Sequence, residues 1–178
     1  MKWITGWMGG LAACAAFAQD TWTLEKPYVW SRDEKAIELA MEGPVFAVMH
    51  TGRQDWSLAG IPRIAVTPGD IFEIACKVKM ASNGGWASAE TGVVLRDEQG
   101  KERSWSFGGV SVSAPCEWTE LRSRFIVPRG AASIEPRLIG IGTVSIWADG
   151  YAVKRAGSVQ SRVNPAMPKQ VTLAGAGM

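Results

Sequence analysis

This sequence has a single histidine and a small net charge. Each of these two features excludes a class of function. His50 is the one histidine among 178 residues, so the usual His-rich metal sites are excluded and a Ser-His-Asp triad would depend on a single residue. The 19 basic residues nearly balance the 17 acidic residues, and no basic run is longer than Lys154-Arg155. Nucleic-acid binding needs a basic patch along the phosphates, so we do not expect it.

Catalytic motifs are also absent from the sequence. It contains no Gly-x-Ser-x-Gly nucleophile elbow, no His-Glu-x-x-His and no phosphate-binding loop. Paired carboxylates could hydrolyse a glycoside, but most acidic residues lie in turns or on charged strand faces, and Glu90 near Trp86 is the one to inspect. We therefore expect that the protein is not an enzyme. A small glycan hydrolase or lyase is an alternative that needs two carboxylates in one cleft.

The first 18 residues are typical of a signal peptide. Lys2 precedes an uncharged apolar stretch, and Ala16-Phe17-Ala18 is a small-x-small cleavage site. The apolar stretch is too short and too rich in glycine to predict a membrane span. The sequence therefore predicts export, either secretion or delivery to a periplasm. Leu11-Ala12-Ala13-Cys14 also fits a lipoprotein box, so lipid anchoring at Cys14 is the alternative.

Alternating strands separated by Pro/Gly turns run along the chain, and no stretch has a helical period. Between residues 71 and 80 every even-numbered residue is apolar and most odd-numbered ones are charged, which is typical of one buried and one solvated face. Thr67-Pro68-Gly69-Asp70 has proline and glycine where a type II turn requires them. Roughly ten such strands predict an all-β fold, a two-sheet antiparallel β-sandwich of jelly-roll type. We expect the sandwich at residues 19–155 and a linker or flexible C-terminal tail at residues 156–178.

Two cysteines, Cys76 and Cys116, remain once a signal peptide is removed. In an oxidising compartment such a pair can form a disulfide. A domain of this size can equally carry two buried thiols that behave as small apolar residues. The sequence leaves both interpretations open.

Nine tryptophans are the outlier of the composition, and three of them lie outside the core pattern. Trp56 and Trp86 fall in predicted loops, and Trp105 stands between two serines on a short polar strand. An indole covers the apolar face of a sugar ring while planar polar groups pair with its hydroxyls. We therefore predict that these three rings are stacking platforms, although they could also plug the ends of the sandwich. The predicted hydrogen-bonding partners are Arg53, Gln54, Asp55 and Glu90.

Three other residues are assigned structural roles from their positions. Trp118 and Trp147 lie on framework strands and are expected in the core. His50, at the end of a strand, could line a groove together with the Arg-Gln-Asp segment that follows it, but we expect a hydrogen-bonded loop residue.

Four segments together resemble the carbohydrate-binding-module and galactose-binding-like sandwiches. They are Val66-Thr67-Pro68-Gly69-Asp70 with Phe72-Glu73-Ile74, Trp118-Thr119-Glu120-Leu121, Phe125-Ile126-Val127-Pro128, and Ile146-Trp147-Ala148-Asp149. The resemblance covers about residues 30 to 155 and implies a sandwich that often accompanies a secreted glycoside hydrolase, lyase or adhesin. In such domains the aspartate that matches Asp149 often helps to hold a structural calcium, a cation that prefers carboxylate and carbonyl oxygens. The alternative, which we favour, is an aspartate that accepts backbone hydrogen bonds near the end of a strand. The family's next residue is often a second aspartate, and here it is Gly150. The resemblance implies no required cofactor.

The predicted function is that of a secreted, non-catalytic domain that binds an oligo- or polysaccharide. It would act alone or beside a glycan-active enzyme. The alternative is a structural or adhesion sandwich that binds protein or supports a neighbouring domain. In that case the loop tryptophans would be packing residues or an assembly patch.

Overall fold

A computed structural model describes residues 20–82 and 85–160 of the chain. The predicted signal peptide, Cys14 and residues 161–178 of the predicted tail lie outside the described residues. Within the described ranges, no helix is long and apolar enough to cross a membrane.

The described chain is built from antiparallel strands and one turn of 3-10 helix, Glu34–Ala36. The strands are β1 (Thr21–Thr23), β2 (Tyr28–Ser31), β3 (Ile37–Glu42), β4 (Val45–His50), β5 (Asp55–Ala59), β6 (Ile64–Ala65), β7 (Asp70–Ser82), β8 (Ser88–Arg96), β9 (Glu102–Val112), β10 (Cys116–Ile126), β11 (Ser133–Ile141) and β12 (Val144–Ser158).

These strands form two sheets that pack face to face. The first sheet has the order β10-β7-β12-β4-β3, with β1 paired to β12. The second has the order β2-β5-β11-β8-β9, with β6 paired to β11. Most neighbours are distant in sequence, as expected when a chain crosses repeatedly between two sheets. The predicted all-β, two-sheet antiparallel sandwich of jelly-roll type is confirmed.

The core lies between the sheets and follows the alternation seen in the sequence. On β7, the residues from Phe72 to Met80 with even numbers are all buried. They face Trp56 and Leu58 of the second sheet, together with Leu138, and all belong to one apolar cluster. The turn before β7 also has the predicted form, because Asp70 N donates to the Thr67 carbonyl at 3.0 Å and Gly69 has a φ of 93°.

Arg155 ties the N-terminal strand to this core. Its guanidinium lies 5.9 Å from the ring centre of Trp22 and 5.4 Å from that of Phe72. It also pairs with Asp20 at 3.4 Å and Asp70 at 3.6 Å. A side chain that joins two rings and two carboxylates fixes the position of β1 against β12.

Both cysteines are free thiols, so the disulfide alternative is wrong. On the paired strands β7 and β10, Cys76 is opposite Leu121 whereas Cys116 is opposite Met80. This offset is about four residues, or about 13 Å, whereas a disulfide needs Cα atoms within about 7 Å.

Two tryptophans expected in the core lie on the outer face of the first sheet instead. Trp147 is half-buried and stands between the buried Ile146 and Ala148, so strand alternation turns it outward. Trp118 is 47% exposed and lies where the register between β10 and β7 shifts. Sequence alone located these residues on strands but assigned them the wrong face.

The limits of the strands also differ from those expected. β12 runs through Ser158, so the sandwich continues past residue 155. The segment that contains Trp56 is not a loop but strand β5, and β2 was not predicted at all.

Candidate functional site

An open groove of about 740 Å³ lies on the outer face of the second sheet. All five strands of the path β2-β5-β11-β8-β9 contribute to it. At about 4.8 Å per strand, the edge strands β2 and β9 are about 19 Å apart. The groove is therefore an elongated depression across a sheet. Its lining residues are Tyr28, Trp30, Arg32, Asp55, Trp56, Ser57, Arg96, Trp105, Arg137 and Ile139.

Exposed aromatic rings stand at both ends of this groove. Tyr28 and Trp30 lie two residues apart on β2, which places them on one face, and they are 54% and 47% exposed. At the opposite edge of the sheet, Trp105 on β9 is 62% exposed. Such large exposed rings lining a groove are typical of a binding surface rather than of a core.

A β-bulge turns Trp105 toward the groove. Val93 of β8 is opposite Phe107 and Leu95 is opposite Ser104. Between these two pairs β9 therefore contains one residue more than β8, which defines a β-bulge. In a regular strand Trp105 and Phe107 would share a face. Instead Phe107 packs on the core in an edge-on contact with Phe125, with ring centres 5.7 Å apart.

The polar groups on the floor of the groove are arginines held by carboxylates. Glu135 of β11 accepts from Arg137 at 2.7 Å and lies 3.5 Å from Arg96. Arg96 also pairs with Glu102, and a backbone hydrogen bond together with this guanidinium lowers the pKa of the Glu102 carboxyl. The side chains of Arg96 and Arg137 are only 12% and 19% exposed. Their positions are therefore fixed by the sheet.

A fourth ion pair lies near the β2 end of the groove. Arg32 Nε is 3.4 Å from the Asp55 carboxylate, and both side chains are well exposed. Asp55 is the one carboxylate among the groove-lining residues of the described chain. Every lining arginine thus has an acidic partner, and the groove carries little net charge.

Trp56 cannot act as the predicted stacking platform. It is 0% exposed and points into the core, with its ring centre 6.4 Å from that of His50. Gly140, its cross-strand neighbour on β11, leaves the space that the indole fills, because a Cβ there would overlap the ring. The sequence pattern predicts a loop at Trp56, whereas the residue lies on strand β5, and this difference accounts for the wrong assignment.

The remaining predicted ligand-binding residues divide between the groove and other surfaces. Asp55 and Trp105 line the groove. Arg53 and Gln54 are exposed before β5 and do not line it. Trp86 is 66% exposed in the loop between β7 and β8, also outside the groove.

Glu90 is also outside the groove lining. Its carboxylate accepts a hydrogen bond of 2.6 Å from the Ser106 hydroxyl on the neighbouring strand β9. Among the contacts of the described residues, none joins Glu90 to a second carboxylate. The carboxylate pair that glycoside hydrolysis generally uses is therefore not seen at Glu90.

Sequence reasoning missed several groove residues, above all Tyr28 and Trp30. A signal was present, since Tyr28-Val29-Trp30 has the aromatic–aliphatic–aromatic alternation of a short strand with two rings on one face. The arginines carried no comparable signal, because the carboxylate partners of Arg32 and Arg96 lie on other strands, although Arg137 has its partner Glu135 on its own strand. The lining residues absent from the prediction are Tyr28, Trp30, Arg32, Ser57, Arg96, Arg137 and Ile139.

His50 serves the structure, as expected, although it ends strand β4 rather than lying in a loop. It is 1% exposed, its Nδ1 donates to the Gly142 carbonyl at 2.9 Å, and its Nε2 is 3.1 Å from the Ser31 hydroxyl. With Nδ1 carrying the proton, Nε2 of a neutral ring accepts from that hydroxyl.

Asp149 lies on β12, where its backbone carbonyl accepts a weak hydrogen bond of 3.7 Å from the Cys76 thiol. Among the described residues, no group of three or more His, Cys, Asp or Glu side chains could hold a metal ion. The structural calcium at Asp149 stays a prediction.

No protein-family model and no curated protein matches this sequence. The structure, in contrast, is similar to solved carbohydrate-binding modules. The xylan-binding CBM22-1 domain from Paenibacillus barcinonensis Xyn10C shares 15% identity, with a TM-score of 0.52 over 81% of this chain and 99% of that chain. A xylan-binding domain of CBM22 shares 14% identity, with a TM-score of 0.52 over 80% of this chain and 96% of that one.

The same fold occurs joined to an enzyme. The CBM22-1–GH10 modules of Clostridium thermocellum endo-1,4-beta-D-xylanase 10B, complexed with xylohexaose, match 88% of this chain and 29% of that chain at 16% identity and a TM-score of 0.54. At these identities the likeness establishes the fold. The resemblance read from the four framework segments is confirmed, and the chain has the β-sandwich of carbohydrate-binding modules.

Proposed function

We propose that the protein is an exported, non-catalytic carbohydrate-binding domain whose ligand lies along the groove of the second sheet. The observation that carries this proposal is the pair of aromatic ends, Tyr28 with Trp30 and Trp105, joined by a polar floor. Structurally similar domains are described as xylan-binding, which supports a glycan as the class of ligand. Export is part of the proposal and depends on residues 1–18.

The exposed rings supply the apolar part of sugar recognition. A pyranose has a face of C–H groups, and an indole or phenol ring placed against that face removes both surfaces from water. Trp30 and Trp105 stand at opposite edges of the sheet, about 19 Å apart by strand spacing. A ligand that contacts both must be an extended oligosaccharide rather than a single sugar.

The paired arginines supply the polar part. Each guanidinium has five N–H donors, of which its carboxylate partners use only some. Because Glu135 already holds Arg96 and Arg137 in place, binding a sugar hydroxyl requires little further ordering of either side chain. Because these charges are compensated within the groove, a neutral glycan fits better than a polyanionic one.

The groove also supports a role without catalysis. Glycoside hydrolysis generally uses two carboxylates on either side of the scissile bond. Asp55 is the one lining carboxylate of the described residues, and it pairs with Arg32. A glycan-active enzyme is the partner that this proposal favours, since a solved xylanase structure carries a similar domain beside its GH10 module.

The test is titration of the purified protein with a panel of neutral hexasaccharides, including xylohexaose, and with an acidic oligogalacturonide. We expect a neutral ligand to bind in the groove, and this groove site to be lost in a folded Tyr28→Ala, Trp30→Ala, Trp105→Ala variant. Metal chelation serves as a parallel arm for the calcium predicted at Asp149. A folded wild-type protein that binds none of these glycans would refute the proposal and favour the structural or adhesion alternative.

A further inference from the structure

A row of residues crosses the outer face of the first sheet, on the side opposite the groove. Lys79 of β7 is paired with Trp147 of β12, which is paired with Ala47 of β4, and Ala47 is in turn opposite Ala40 of β3. Trp118 lies in the irregular segment of β10 beside the same part of β7. We call these five residues the tryptophan row.

The two indoles of the tryptophan row stand on either side of an ion pair. Lys79 Nζ is 2.9 Å from the Glu117 carboxylate. Trp118 and Trp147 are on strands separated by β7, so about 10 Å lies between them in the plane of the sheet. This spacing is comparable with a disaccharide repeat in an extended glycan. Beyond Trp147, Ala47 is buried and Ala40 on the edge strand β3 is exposed.

The surroundings of the row favour a sugar over a protein partner. On one side of the row, the next outward positions along β7, β10 and β12 are charged, and several are already paired with one another. On the other side lie Ala81 and Met49, which is 45% exposed. Protein interfaces are depleted of charge at their centres, so the charged side of this face differs from an interface of that kind. Rings set among paired polar groups are the same combination that lines the groove. The charged residues on this face are Glu73, Lys77, Glu120, Arg122, Arg124, Asp149 and Lys154.

We propose that the tryptophan row is a second carbohydrate site, so that one molecule binds two glycan chains on opposite faces of the sandwich. The proposal takes its class of ligand, a neutral oligosaccharide, from the proposed function. The packed sheets are about 10 Å apart, so neither ligand obstructs the other. A domain with two such faces joins separate polysaccharide chains and gains avidity on a dense glycan surface.

The experiment compares three variants of the purified protein with the wild type. They are a groove variant (Trp30→Ala, Trp105→Ala), a row variant (Trp118→Ala, Trp147→Ala) and the control Ile126→Ala. Ile126 lies on the same strand as Trp118 and is 52% exposed, close to the 47% of that tryptophan. The probes are the neutral hexasaccharides of xylose, glucose and mannose for stoichiometry, and their soluble polysaccharides for light scattering. Thermal unfolding establishes that each variant is folded.

We expect the wild type and Ile126→Ala to bind two oligosaccharides and to increase scattering by cross-linking the polysaccharide. The groove and row variants should each keep one site and lose cross-linking. A single site in the wild type that survives in the row variant would overturn the second site while the proposed function stands. A single site lost only in the row variant would instead support the row and refute the groove. Binding of no probe would refute both.

Discussion

Replacing Trp105 with alanine is the sharpest single test of the groove, because the ring offers more exposed surface than the other lining aromatics. Trp105 is 62% exposed, which for a large aromatic of about 250 Å² leaves about 150 Å² open to a ligand. A sugar stacked on one face covers about half of this, or about 75 Å². At about 25 cal/mol per Å², the loss is about 2 kcal/mol, or about 30-fold in Kd.

Trp86 provides the matched control. It is 66% exposed, so Trp86→Ala removes nearly the same free surface from a loop outside the groove. We expect the Kd for the best neutral hexasaccharide, measured by calorimetry, to rise about 30-fold in Trp105→Ala and less than about twofold in Trp86→Ala. Trp105→Tyr should retain much of the affinity because a flat ring is kept.

Trp105 lies on an edge strand, so an effect on β9 itself has to be separated from an effect on binding. Trp105→Thr keeps a β-branched residue with a good strand propensity and should lose affinity as Trp105→Ala does. Thermal unfolding of all four variants gives the population that is folded. Unchanged affinity in folded Trp105→Ala, or an equal loss in Trp86→Ala, would refute the assignment of the groove.

Three further predictions concern the stability of the fold. Gly140→Ala should lower the free energy of unfolding, measured by urea titration, by about 1–3 kcal/mol, because the alanine Cβ would overlap the Trp56 indole. Recovery of stability in the double variant Gly140→Ala, Trp56→Phe would identify this overlap as the cause. Arg155→Ala should lower the free energy of unfolding by about 1–2 kcal/mol, whereas removal of the exposed Arg122 should cause no measurable loss; equal effects would contradict the central role of Arg155. Burial raises the pKa of the Cys76 thiol from 9.0 to about 12, so its contribution to stability is complete below pH 9.0 and lost as the pH rises toward about 12; Cys76→Ala should weaken the alkaline dependence of the urea midpoint, and an unchanged dependence would assign it to other groups.

The fold could be predicted because its strongest signals are local. The alternation along β7 and the turn at Thr67–Asp70 depend on residues adjacent in sequence, and both occur as expected. The strand β5 could not be found in the same way. Trp56 is buried because Gly140, on a distant strand, leaves space for it, and no local pattern reveals that complementarity.

The candidate site could be predicted only in part, for the same physical reason. Trp105 and Asp55, which both line the groove, could be predicted from local sequence. Trp105 stands between two serines, which indicates exposure, and Asp55 is adjacent to an aromatic residue. Arg96 and Arg137 were not predicted, since their roles depend on Glu135 of β11, which pairs with Arg137 on its own strand and reaches Arg96 on the adjacent strand β8. A groove formed by five strands is a property of strand order, and strand order is non-local.

Most of the surface aromatic residues lie on edge strands or at bulges. This position explains why the alternation of apolar and polar residues did not predict which of them are exposed. Interior strands such as β7 must alternate regularly, because one face builds the core. Short edge strands and bulged segments are released from that requirement. Tyr28 and Trp30 occupy the four-residue edge strand β2, Trp105 lies in the bulged part of β9, and Trp118 lies at the register shift of β10. In this sandwich, an edge position (Tyr28 and Trp30) or irregular strand pairing (Trp105 and Trp118) therefore allows large rings to lie at the surface, and Trp147, on an interior strand, reaches the surface only by facing away from the core.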